Sequence, residues 1–146
     1  MGLILLYNLV MDSDIKMNNH QKVGAIIVAA GESRRMGGVD KVLALLGGKP
    51  VLAHVIDTFQ KCNSIDQIVV VVNRKNLELC QQLVAEKGWP KVTEVCPGGR
   101  RRQDSVAAGL SQLDNCQWVV IHDGARPLLT VDLTAGWKRL EKPALL

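Results

Sequence analysis

The chain has 146 residues, 47% of them hydrophobic and 22% charged, the composition of one soluble globular domain long enough to bury a core. Its formal charge of +4 is modest, and one Phe, one Tyr and three Trp are too few platforms for stacking along single-stranded nucleic acid. That balance excludes nucleic acid as the expected partner and favours small phosphorylated ligands.

Residues 1–22 differ in character from the rest of the chain. An apolar decapeptide runs into the polar segment 12–22, and the two are expected to form a poorly ordered N-terminal extension. The apolar part is short, has no basic leader and is followed by Asp12 and Asp14, so neither a signal peptide nor a membrane-spanning helix is expected. The cytoplasm is the default location.

The remainder, 23–146, alternates strands and helices. Residues 24–30 are apolar and rich in β-branched side chains, which predicts a buried strand. It breaks into the loop 31–41, which carries Gly31, Gly37, Gly38, the adjacent Arg34 and Arg35, and Lys41. A short extended piece over 42–46 is expected to end at Gly47 and Gly48. Pro50 suits the first turn of a helix over 50–61, with Val51, Leu52, Val55, Ile56 and Phe59 on one face. The β-branched run 68–72 predicts a second buried strand. Leu77, Leu79, Cys80, Leu83 and Val84 give the inner face of a second helix, closed by Gly88 and Pro90. A short strand over 91–96 leads to Pro97, Gly98 and Gly99. A third helix over 103–113 turns Val106, Ala107, Leu110 and Leu113 inward, with Asp104 and Ser105 at its first turn as capping side chains. Gly109 inside it, costing ~1 kcal/mol relative to alanine, implies close packing on the sheet. A strand over 118–121 delivers His122, Asp123, Gly124, Ala125, Arg126 and Pro127, and Leu133, Trp137 and Leu140 suggest a last helix. Such alternation implies a parallel sheet with right-handed crossovers, so the polar loops after Ala30, Cys96 and Ile121 share one sheet edge.

An open α/β sheet binds its ligand at that edge. The dinucleotide fingerprint Gly-x-Gly-x-x-Gly is absent after the first strand. The Gly-x4-Gly-Lys-Ser/Thr phosphate loop is absent too, because Pro50 follows Gly48 and Lys49. There is instead a glycine-rich cationic loop, read as a triphosphate cradle in which Arg35 and Lys41 reach phosphate oxygens. The plainer alternative is a surface loop with solvated charges. In the second element, Gly98 and Gly99 free backbone groups to contact a base, and the helix N-terminus at Ser105 offers N–H donors; the alternative is a helix cap with an exposed basic run. In the third, Asp123 at a strand end can hold Mg²⁺ through one oxygen while Arg126 forks to a phosphate; the alternative is an Asp–Arg ion pair in a turn. His122 reads as structural, because no Ser or Cys nucleophile accompanies it. Cys62, Cys80, Cys96 and Cys116 form no Cys-x2-Cys pair, so zinc is not expected and each reads as a small apolar residue.

Together these stretches resemble the 2-C-methyl-D-erythritol 4-phosphate cytidylyltransferase family of non-mevalonate isoprenoid synthesis, over roughly residues 23–135. Its first motif is matched by Ala29, Ala30, Gly31, Arg35, Met36 and Lys41. Its second is matched by Gly98, Gly99, Arg102, Ser105, Val106, Gly109 and Leu110, and its third by His122, Asp123, Ala125, Arg126 and Pro127. The resemblance implies a Rossmann-like nucleotidyltransferase fold, a mostly parallel sheet with helices on both faces, C-terminally truncated here so that 23–146 is an incomplete domain. It implies CTP and methylerythritol phosphate as substrates and Mg²⁺ as cofactor. Ala29, Ala30, Gly31, Gly99, Arg100 and Ser105 would bind the nucleotide, with Gly99 and Arg100 as backbone positions. Arg35 and Lys41 would be catalytic, Arg126 would hold a substrate phosphate and Asp123 the metal. Full-length relatives are homodimers, and the dimerisation arm is not matched in this chain. Asp40 stands where the family usually has Pro, and Met36, Gly37, Asp40 and Lys41 also resemble molybdenum-cofactor guanylyltransferases. Another nucleotidyltransferase, or a nucleotide-binding domain without turnover, therefore stays open beside the first reading.

Overall fold

A computed structural model describes residues 5–8, 21–31 and 40–126. In chain order its elements are β1 (Leu5–Asn8), β2 (Val23–Ala29), the short strands β3 (Leu45–Leu46) and β4 (Lys49–Pro50), and α1 (Val51–Lys61). Next come β5 (Gln67–Val72), a 3₁₀ turn Arg74–Asn76, α2 (Leu77–Lys87), β6 (Val92–Pro97), α3 (Arg102–Gln112) and β7 (Trp118–Asp123). The five-stranded sheet has the order β1-β7-β2-β5-β6, while β3 and β4 form a hairpin around Gly47 and Gly48.

Strands β2, β5, β6 and β7 are parallel. The β-branched run of β5 is 0% exposed from Ile68 to Val72, as a strand covered on both faces requires. Its alternate residues divide the core. Ile68, Val70 and Val72, with Ala25, Ile27 and Val120, pack against Leu52, Val55, Ile56 and Phe59 of α1 and Cys80 of α2. Val69 and Val71, with Ile26, Val119 and Ile121, pack under Val106 and Leu110 of α3 and under Leu113 just past its end. Helices thus cover both faces.

Several sequence expectations are refined. Pro50 caps α1, whose first residue is Val51. Leu79 does not join the inner row of α2 and is 57% exposed, because Leu77, Cys80 and Val84 already complete one stripe at helical spacing. Ala107 is likewise exposed, and Ser105 and Gly109 are the buried positions of α3. Within the segment expected to be a poorly ordered extension, Leu5–Asn8 pairs antiparallel with β7, with Leu5 opposite Ile121 and Asn8 opposite Trp118. The expected last helix lies outside the described residues.

Gly109 has the packing role its position implied. A Cβ there would lie 2.6 Å from Cγ2 of Ile26 and 3.1 Å from Cγ2 of Val71, both on stiff β-branched side chains. Gly109→Ala is therefore expected to destabilise the protein by about 1–3 kcal/mol, although the same change in an open helix stabilises it. Urea unfolding of the two proteins measures the sign.

The β3–β4 hairpin is moored to α1 through charge. Asp57 accepts from Lys49 Nζ and from Trp89 Nε1, the latter at 2.7 Å. Burial pushes its carboxyl up, but the Lys49 and Trp89 hydrogen bonds outweigh it and hold the group below its ordinary 3.8. A depressed carboxyl contributes stability that is present above the unfolded value and lost as pH falls through the folded one. The Tm difference between wild type and Asp57→Asn is expected to be open at about pH 6 and to narrow as pH falls below 3.8, measured by calorimetry.

Strand order reverses between β2 and β7: the chain steps from β2 out to β5 and β6, then crosses to the far side of β2. Such a switch point leaves a crevice outside the carboxyl ends of the strands. The register sets those ends level, pairing Val28 with Asp123, Ala29 with Val72, and Val72 with Pro97.

Candidate active site

Each wall of the crevice begins at a strand end. Ala29 closes β2, and Ala30 and Gly31 open the loop beyond it. Asp123 closes β7. Gly98 and Gly99 follow β6, with the Gly98 N–H donating to the Val72 carbonyl at 2.8 Å. A Cβ on Gly98 would fall 2.4 Å from Ser105 Oγ and 2.6 Å from Ala30 Cβ, so only glycine lets this loop fold down between α3 and the end of β2.

The start of α3 is fixed by the Asp104 carboxylate. Asp104 Oδ2 accepts from the Arg101 N–H at 3.1 Å and from Arg101 Nε at 3.2 Å. Those hydrogen bonds hold the Asp104 carboxyl below its ordinary range. Asp104 does the capping expected of it, whereas Ser105 is 1% exposed and faces inward beside Gly98.

The result is a cleft of about 730 Å³ lined by Val28, Ala29, Ala30, Gly31, Lys41, Val42, Gly99, Arg100, Arg101, Arg102, Ser105, Asp123, Ala125 and Arg126. Ala29, Ala30, Gly31, Lys41, Gly99, Arg100, Ser105, Asp123 and Arg126, all singled out from the sequence, therefore meet at one place. Arg35 lies outside the described residues. Among the described residues, the cleft lining carries Lys41, Arg100, Arg101, Arg102 and Arg126 and one carboxylate, Asp123. A lining with that charge balance favours an anion.

Asp123 is held from two sides. Arg102 Nη1 meets its Oδ1 across the cleft, and Arg126 Nε meets its Oδ2 at 3.3 Å. The ion pair weighed against a metal role is present, with Arg102 as an added partner. Beneath it, His122 is 0% exposed, with its ring 5.6 Å from that of Phe59. Its Nε2–H donates to the Arg126 carbonyl at 3.1 Å, and burial pushes the imidazole below its ordinary 6.5. A buried His that ties down the Arg126 backbone fits the structural reading.

Arg102 is the cleft residue that sequence reasoning left out of the site. It was visible as a motif match, but three adjacent arginines give no sign of which one turns inward. Among the described residues no three His, Cys, Asp or Glu side chains cluster to cage a metal, and no helix is long and apolar enough to cross a membrane.

An open, mostly parallel sheet covered by helices on both faces, with a cationic glycine-bearing cleft at its switch point, defines an α/β fold of nucleotidyltransferase type. Residues 23–142 match the sequence profile of 2-C-methyl-D-erythritol 4-phosphate cytidylyltransferase, and the chain belongs to that family. It is 57% identical over 110 residues to the protein of that name from Dehalococcoides mccartyi, covering 75% of this chain and 48% of that one. It is 45% identical over 114 residues to the one from Caldanaerobacter subterraneus subsp. tengcongensis, covering 76% and 50%. The fold superposes on the crystal structure of 4-diphosphocytidyl-2C-methyl-D-erythritol synthase from Anaerococcus prevotii with a TM-score of 0.70 and 28% identity, covering 82% of this chain and 50% of that one. The chain thus spans about half the length of the curated relatives it matches. The family match also runs past residue 135, where the motif resemblance ended.

Proposed function

We propose that the protein transfers CMP from CTP to 2-C-methyl-D-erythritol 4-phosphate with release of pyrophosphate, a cytoplasmic step of non-mevalonate isoprenoid precursor synthesis. The observation that carries this reading is the convergence of Lys41, Ser105 and Asp123, from three separate stretches of sequence, on one cationic cleft.

In this reading Ala29, Ala30, Gly31, Gly99, Arg100 and Ser105 surround the nucleoside. Lys41, together with Arg35, stabilises charge at the α-phosphate, and Arg126 takes a substrate phosphate. The attacking group is a phosphate oxygen, already ionised at neutral pH, so no general base is needed. Catalysis is then positioning plus electrostatic stabilisation of an in-line displacement. This agrees with a cleft lined by no histidine among the described residues, since His122 lies buried beneath Asp123 and committed to the Arg126 backbone.

Mg²⁺ fits the donor set in one way. A hard dication commonly binds through one or two carboxylates and completes its shell with phosphate oxygens and water. Asp123 offers one carboxylate on the cleft wall and would hold the ion, which supplies charge neutralisation along the phosphates. Arg102 and Arg126, now on the Asp123 oxygens, would be freed to bind phosphate.

The deciding experiment is pyrophosphate release from CTP with and without methylerythritol phosphate, run beside thermal shifts with CTP and GTP. Acceptor-dependent release and a larger shift with CTP are expected. A larger shift with GTP would favour the guanylyltransferase alternative, and a CTP shift without release would favour a binding domain without turnover.

A further inference from the structure

We propose that Asp40 is the positioning residue for Lys41, through a hydrogen-bonded clasp with Asn73 and Asn76 that fixes where the lysine side chain leaves the backbone. This rests on the reading of Lys41 as a phosphate ligand.

Asp40 uses its carboxylate and its carbonyl in three directions. Oδ1 accepts from the Val42 N–H at 3.1 Å, and the carbonyl oxygen accepts from Leu43 at 3.2 Å and Ala44 at 3.1 Å, which winds residues 41–43 into a turn. Oδ2 accepts from Nδ2 of Asn73 at 3.2 Å and from Nδ2 of Asn76. The asparagines are themselves fixed, since Asn73 Oδ1 accepts from the Asn76 N–H at 3.0 Å and Asn76 is 8% exposed. They stand just beyond β5, so the clasp ties the end of the glycine-rich loop to the rim of the sheet.

On its other side Lys41 is followed by Val42, 4% exposed in the core, whose carbonyl accepts from Leu52 of α1 at 2.9 Å. Both backbone neighbours of Lys41 are therefore immobilised, while Lys41 itself is exposed on the cleft wall. For a reaction that works by positioning, a shift of about 1 Å in such a group costs about 100-fold in rate.

Charge and position make opposite predictions. Deleting a carboxylate near a phosphate site tightens anion binding by charge alone. If Asp40 positions Lys41, deletion weakens it. The test titrates inorganic tripolyphosphate into wild type, Asp40→Ala, Lys41→Ala and the double variant by calorimetry. Asp40→Asn serves as a second variant that keeps the Val42 acceptor but turns an amide toward the asparagine donors. Asp40→Ala, Asp40→Asn and Lys41→Ala are each expected to weaken binding about tenfold, with the double variant no weaker than Lys41→Ala, since the two changes act through one group. In the pyrophosphate assay Asp40→Ala is expected to lower kcat about 100-fold with a smaller change in KM for CTP. Unchanged or tighter tripolyphosphate binding by Asp40→Ala would overturn the inference, as would an equal loss in the Lys41→Ala background. No binding by wild type would overturn the phosphate reading of the cleft on which it stands.

Discussion

Lys41→Ala is expected to lower kcat for CTP-dependent pyrophosphate release by about 100- to 1,000-fold, corresponding to ~3–4 kcal/mol of transition-state stabilisation. Lys41 lines the same cleft as Asp123. Charge on the transferring group grows toward the transition state, so a fixed cation there acts more on kcat than on nucleotide affinity. Lys41→Arg keeps the charge but replaces a compact ammonium with a longer planar fork, and is expected to recover only part of the rate. Steady-state kinetics with both substrates varied gives the result. A Lys41→Ala variant within about threefold of wild type would remove the lysine from the chemistry and leave it as a solvated surface charge.

The sequence revealed those features whose cause is local. Strands β2, β5 and β7 were legible because parallel strands are buried on both faces and so read as unbroken β-branched runs. Helix α1 was legible because five apolar residues repeat at its period, and Gly109 because a glycine in mid-helix needs a reason. The corners of the cleft could be read in order, since each polar loop directly follows one of the parallel strands β2, β6 and β7, and parallel topology sends all of them to one edge. What escaped depends on pairing across the chain. Strand β1 is four residues, Leu5–Asn8, whose partners on β7 lie at the other end of the sequence. The clasp of Asp40 with Asn73 and Asn76 joins two loops that share no local pattern. The choice of Arg102 among three arginines is made by Arg101, whose extended backbone at φ −106° and ψ 156° precedes the first turn of α3 and brings Arg102 within reach of Asp123.

Phe59→Ala is expected to cost about 3–5 kcal/mol of folding stability, the usual range for deleting a fully buried aromatic side chain. Phe59 is 0% exposed and lies where α1 meets the sheet, so the cavity left behind is bounded by strand residues that cannot collapse into it. Domains of this size hold only about 5–15 kcal/mol in total, and the loss would therefore show as a Tm drop of roughly 10–20 °C. The ring also floors the site: its contact with His122, at 5.6 Å between centroids and 53° between planes, supports the residue that precedes Asp123 and holds the Arg126 carbonyl. Phe59→Leu fills most of the space and is expected to cost only about 1–2 kcal/mol. It removes the aromatic contact all the same, so at a temperature where both proteins are folded it should bind CTP more weakly than wild type. Stability and affinity measured on the same two variants separate the packing of α1 from the support it lends to Asp123. A loss under about 1 kcal/mol in Phe59→Ala would contradict the close packing claimed for that face of the sheet.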